Sequence, residues 1–198
     1  KVAFKFFCAT LFFRAIMTAD RYFIEFVGGK DMLAVYVVYI SIAMAINSVL
    51  VPVVFSFVYP KLVSNYKKGN FNEYRNNIKE LTYSVVIVGG GVALAIGIFA
   101  PYILVWTNKS ILLDNILILW LLLLMSFLYS FSMVPHYILY AKNLDKKILY
   151  SHFVSLLVFL VGCYLAVVEE NVNILLYSLI LSMLILFSMK SWFALKSG

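Results

Sequence analysis

The sequence is short of charge. Asp, Glu, Lys and Arg make up 13% of its 198 residues, where a soluble domain carries about a quarter, and 64% of the residues are hydrophobic. That balance excludes a water-soluble globular chain and a disordered one. The mean hydropathy of +0.98 is spread along nearly the whole length, which also excludes a single anchor on a soluble domain. Cysteine is scarce: Cys8 and Cys163 lie in apolar runs with no CxxC or metal-ligand spacing, so both read as structural residues. Also missing are HExxH, GxSxG, a phosphate-binding glycine loop, paired acids in a soluble loop and any polar segment large enough for a catalytic domain. An enzyme is not expected, and no cofactor or metal is implied.

What the chain does have is length in its apolar runs. A membrane helix needs about 20 mostly apolar residues, and six stretches qualify: 4–27, 33–58, 82–105, 112–134, 148–168 and 174–189. The first is unusual in containing Arg14, Asp20, Arg21 and Glu25. Barrel strands would alternate apolar and polar residues, and runs such as 116–125 do not. Because helices satisfy their own backbone hydrogen bonds in lipid, the expectation is an all-α polytopic bundle of about six transmembrane helices, with residues 1–198 forming a single membrane domain. The long polar segment 59–81 should add one cytoplasmic amphipathic helix. Asn70 can cap it with Glu73 three residues on, and Phe71, Tyr74, Ile78 and Leu81 share a face.

Basic residues set the orientation. With the N-terminus inside, the internal segments hold Lys1, Lys5, Lys61, Lys67, Lys68, Arg75, Lys79, Lys142, Lys146, Lys147, Lys190 and Lys196, and the external loops only Lys30 and Lys109. Both termini of the segment are therefore expected in the cytoplasm. Cations dispersed beside anionic headgroups account for the net charge of +7, and no nucleic-acid partner is expected. Lys1, Lys5 and Met17-Thr18-Ala19 have some likeness to a signal peptide, but Arg14 interrupts its apolar core. The chain begins without Met or a polar lead-in, which reads as a cut through a longer protein.

On a helical wheel Thr10, Arg14, Thr18, Arg21 and Glu25 fall within about 80° of one another, one polar stripe along the first span. A charge near the bilayer centre costs about 2.5 to 3.5 kcal/mol or more, so the stripe should face protein or water. Arg21 and Glu25 are spaced to pair, whereas Arg14 has no acidic partner one turn away and can offer its fork of donors to phosphate or carboxylate groups. The competing reading starts the helix near Arg14 and lets the side chain snorkel to the surface. Asp20 points about 120° away from the stripe, towards either a hydrogen bond with another helix or an ion-coupling role. Ser41, Ala45, Ser48 and Pro52 on the second span suggest close helix packing or, as the alternative, a cavity lining, and Gly89, Gly90, Gly91 and Gly97 give the third a similar small-residue face, with Pro52 and Pro101 as bends. His136 and His152 flank the loop around Lys142 and read as interfacial residues, each without a nearby second ligand.

Several markers together carry a resemblance: Asp20-Arg21-Tyr22-Phe23 late in the first span, Gly28-Gly29 at its outer turn, Val35-Tyr36 opening the second, Pro60 at its far end, Lys68-Gly69-Asn70 before the amphipathic helix, and Pro101 closing the third. The pattern resembles the polysaccharide exporters of the multidrug/oligosaccharidyl-lipid/polysaccharide superfamily, in particular the C-terminal half of an O-antigen or capsule repeat-unit flippase. The resemblance implies one six-helix lobe of a two-lobe transporter of the bacterial inner membrane. Its partners would be membrane lipids, the N-terminal lobe or a second copy, and an undecaprenyl-pyrophosphate-linked oligosaccharide as substrate. Arg14, Thr18, Arg21 and Glu25 would meet that substrate, the arginines at its pyrophosphate or acidic sugars, and Asp20 would be the ion-coupling candidate. Two other readings stand beside it: a cation-coupled small-molecule antiporter of the same superfamily, and a non-transporting structural subunit whose charges pair with a partner's helices.

Overall fold

The computed structural model describes residues 2–106 and 110–196, with side chains described from residue 7. The expectations for Lys1, the Lys5 side chain and Lys109 fall outside those residues. In chain order the helices are α1 (Val2–Ala43), α2 (Ala45–Leu50), α3 (Ser56–Lys67), α4 (Phe71–Ser84), α5 (Gly90–Trp106), α6 (Ser110–Asp114), α7 (Ile116–Phe131), α8 (Met133–Ala141), α9 (Asp145–Val168) and α10 (Val172–Lys196). Among the described residues there is no strand. Backbone groups that lipid cannot satisfy are thus bonded within helices.

Five helical stretches are long and apolar enough to cross a membrane, the first covering Phe7–Lys67. That stretch is folded back on itself. Asp20 and Tyr36 would stand about 24 Å apart on a straight helix at 1.5 Å per residue, yet the Tyr36 hydroxyl donates to Asp20 Oδ2 at 2.5 Å. The reversal is at Gly29, whose φ of 77° is strained for any residue with a Cβ. The two arms of α1, 2–28 and 30–43, are consecutive passes, so the bundle has six. Because the first arm is helical from Val2 onward, Arg14 lies well inside it, and the reading that begins the helix near Arg14 does not hold.

Interruptions in the later helices have local causes. Pro52 has no N–H and its ring crowds the preceding turn, and the chain takes a π-turn over Val51–Phe55 in which the Ser56 N–H and hydroxyl both reach the Val51 carbonyl. Pro135 removes the donor that would bond Phe131, and α7 gives way to α8 at Ser132. The ladder breaks after Ala43, whose carbonyl accepts the Ser126 hydroxyl of α7 at 2.8 Å. A second π-turn, Val85–Gly89, joins the amphipathic α4 to α5 and packs Gly89 against Leu50, immediately before the first π-turn.

The α7 helix is central, touching both arms of the hairpin, α5 and α10, while α9 packs on α10 and on α1. Lipid tails are as apolar as leucine, so these contacts are held by close fit and interhelical hydrogen bonds. A Cβ on Gly162 of α9 would overlap Ser178 of α10, and the Ser155 hydroxyl donates to the Ser182 carbonyl at 2.8 Å. Gly97 likewise seats the Trp120 ring. The serine line of the second pass behaves differently from the expected packing: Ser41, Ser48 and Pro52 are exposed, and both hydroxyls bond carbonyls of their own helix.

The connections gather at two ends. Tyr66, Arg75, Lys142 and Ala194 line one cavity, which brings the 59–81 segment, the α8–α9 turn and the end of α10 to a common basic end. Ala9 packs there with Leu139, Ile148 and Ala194. Gly28 meets Val172 at the opposite end. Helix α4 starts as the sequence predicts: the Asn70 side chain accepts from the Glu73 N–H at 3.4 Å, and Tyr74 and Leu81 are buried. Phe71 on the same face remains exposed.

Candidate functional site

The first arm presents two faces. Ala9, Ile16, Asp20 and Ile24 recur at helical spacing and are buried against the bundle. Thr10, Arg14, Thr18, Arg21 and Glu25 occupy another face, and all five are exposed. The expected stripe therefore exists as a continuous uncovered polar face, on a molecule whose other exposed helices, α5 above all, show Leu94, Ile98, Phe99, Ile103 and Val105.

Asp20 does not belong to that face. Its side chain is 1% exposed, with Oδ2 accepting from Tyr36 and Oδ1 from the Arg21 backbone N–H at 2.7 Å. Both oxygens are thus engaged, Oδ2 tying the two arms of the hairpin and Oδ1 bonding within the first arm. Tyr39 adds a bond from its hydroxyl to the Leu112 carbonyl, fixing the second arm to the start of the fourth pass. Both cysteines are unbridged, Cys163 buried within the bundle.

Towards the basic end the stripe meets a polar cluster from four other helices. Phe13 stacks on Tyr129 of α7 with ring centroids 4.2 Å apart, and its edge approaches His152 of α9. His136 of α8 and His152 lie 6.3 Å apart, nearly perpendicular, and the two share a cavity of about 170 Å³ with Thr10, Phe13 and Tyr129. On α10, which packs against both α8 and α9, the Lys190 side chain is fully buried, and its Nζ has no hydrogen-bond partner.

Two expectations are corrected here. Lys190 is not in a terminal basic segment, because α10 runs on to Lys196 and carries it inside the bundle. His136 and His152 are not isolated interfacial residues, because adjacent helices bring them together. Among the described residues no three His, Cys, Asp or Glu side chains gather as a metal site. Comparison with protein-family models, with curated proteins and with solved structures finds no match to this chain.

The cluster had a sequence signal in its depth. His136 precedes the end of α8 by five residues, His152 follows the start of α9 by seven, and Lys190 precedes the end of α10 by six. At 1.5 Å per residue all three lie about 8 to 10 Å from one end of the bundle. A larger groove of about 480 Å³ lies at the basic end, between α4 and the ends of α8 and α10, with Arg75 and Lys142 on its wall. Burial and the neighbouring Lys147 hold the Lys142 ammonium below the usual lysine range.

Proposed function

We propose that this chain is one lobe of a membrane transporter that flips lipid-linked oligosaccharide, carried on a polyprenyl pyrophosphate, across the bacterial cytoplasmic membrane for surface polysaccharide assembly. The observation that carries the reading is the exposed face formed by Thr10, Arg14, Thr18, Arg21 and Glu25 within a membrane pass. Charges there are costly against lipid, so the face must meet water, a ligand or a second lobe. A cleft walled on one side by this face offers guanidinium forks to a pyrophosphate and polar partners to sugar hydroxyls, while the lipid tail stays in the bilayer. The basic end lies in the cytoplasm in this reading, as the distribution of lysine and arginine favours. The π-turns beside Leu50 and Gly89 supply places where the second and third passes can bend during alternating access.

Asp20 favours this reading over coupled antiport, since both of its oxygens are engaged within the hairpin. The test is Arg14→Ala in the full-length protein, scored for export of surface polysaccharide and for protein abundance. Export falling about tenfold or more at normal abundance is the expected result, as for loss of a charge-assisted fork to substrate. Lost abundance with proportionate loss of export would mean that the face binds another helix.

A further inference from the structure

The groove of about 480 Å³ at the basic end is built where helices stop. Among its lining residues, Tyr66, Ile138 and Ala194 lie one to three residues before the ends of α3, α8 and α10. At 1.5 Å per residue they are within about 5 Å of those ends, and one headgroup region of a bilayer is about 5 to 7 Å thick. The fourth wall, α4, has the same depth. The helical stretch Phe71–Trp106 has 36 residues, about 54 Å of helix against a hydrocarbon core of about 30 Å, so its polar start falls outside the core.

Two cations stand on the wall. The Lys142 Nζ donates to the Ala194 carbonyl at 3.4 Å, which holds the ammonium on the α10 side of the groove. Arg75 comes from α4 with Phe71, Tyr74 and Ile78, and at the helical pitch these four span an arc of about 100°. Glu73 and Glu80 fall about 150° or more from the middle of that arc, and Glu80 is engaged by Asn77 Nδ2 at 3.5 Å. Helix α4 therefore turns a cation and apolar groups to the groove and its carboxylates away from it. Two of the apolar lining residues, Phe71 and Leu195, remain 58% and 82% exposed. Such a rim is unfavourable in water and favourable against lipid.

We propose that this groove binds an anionic phospholipid, its phosphate taken by Arg75 and Lys142 and its glycerol and first chain carbons lying against Phe71, Ile78 and Ile138. A soluble anion would use the cations and leave the apolar lining wet. A zwitterionic lipid would cover that lining but bring a third cation to the wall. Basic recesses between membrane helices at headgroup depth suit an anionic lipid on both counts. The bound lipid bridges α4 to the ends of α8 and α10, fastening the amphipathic helix to the bundle. The site stands on its own geometry and does not require the transport reading.

The experiment uses the full-length protein in phosphatidylcholine nanodiscs at constant ionic strength, with thermal unfolding followed as the fraction of phosphatidylglycerol is raised. The midpoint is expected to rise with phosphatidylglycerol. Arg75→Gln and Lys142→Gln should each raise the fraction needed for half of that rise about fivefold. Lys146→Gln, which removes an exposed cation at the start of α9 outside the groove, should leave it unchanged. Arg75 is itself exposed, so its variant carries the test if Lys142→Gln does not accumulate. Glycerol phosphate added to pure phosphatidylcholine discs should give no shift. The site is overturned if phosphatidylglycerol leaves the wild-type midpoint in place, or if the groove variants respond undiminished. It is equally overturned if Lys146→Gln weakens the response as much as they do, which means diffuse surface attraction, or if glycerol phosphate reproduces the rise, which means a soluble anion. Export by Arg14→Ala is read separately, so failure of this site and failure of the transport reading are distinguishable.

Discussion

The first and last passes both carry cations inside the bundle's length and place them oppositely. Arg14 and Arg21 are exposed, whereas Lys190 is 0% exposed. Helical phase accounts for the contrast. The arginines fall between the buried turns marked by Ile16, Asp20 and Ile24, while Lys190 is in register with the buried Met183, Leu186 and Ala194. The lesson is that the packed face, not the chemistry of the side chain, decides which cation is enclosed. An exposed arginine needs only water or a second lobe beside it, but an enclosed lysine needs a counter-ion or must give up its proton.

The largest expected effect comes from separating the last pass from its neighbour. Gly162→Val drives side-chain atoms into Ser178 and should cost about 3 kcal/mol, the upper end for overpacking, with loss of folded protein in a detergent melt. An unchanged melt would mean that α9 and α10 are not in this register. The two cations should then respond in opposite ways. Lys190→Met should stabilise by about 2 kcal/mol because a buried, unpartnered amine is removed, whereas Arg14→Met on the exposed face should stay within about 0.5 kcal/mol. Equal responses in chemical unfolding would erase the distinction drawn here. The hairpin itself is tested by Tyr36→Phe, which leaves Asp20 Oδ2 buried without its donor and should cost about 1 to 2 kcal/mol, read as a lower unfolding midpoint.

Much of the architecture was legible along the chain. The 82–105 span, the Asn70 cap and the reversal at Gly28-Gly29 each rest on local chemistry: run length, a side-chain acceptor and a left-handed φ. The polar stripe was legible for the same reason, because a helix of fixed pitch puts Thr10, Arg14, Thr18, Arg21 and Glu25 on one face wherever it packs. The role of Asp20 was half legible. Its angle away from the stripe follows from the pitch, but its partner Tyr36 follows from the fold-back of the second arm. The serine line on the second pass left packing and a cavity lining both open, because small residues permit close packing without requiring it, and within this chain Ser41, Ser48 and Pro52 face outward.

The sequence by itself determined the membrane class, the helical passes, the basic end and the polar face, since hydropathy, charge and helical pitch are properties of the chain alone. Only the tertiary structure decided that Lys190 is enclosed and that His136 and His152 meet. Those residues lie on three different helices, and their meeting depends on the rotation and depth at which α8, α9 and α10 pack, which interhelical fit sets.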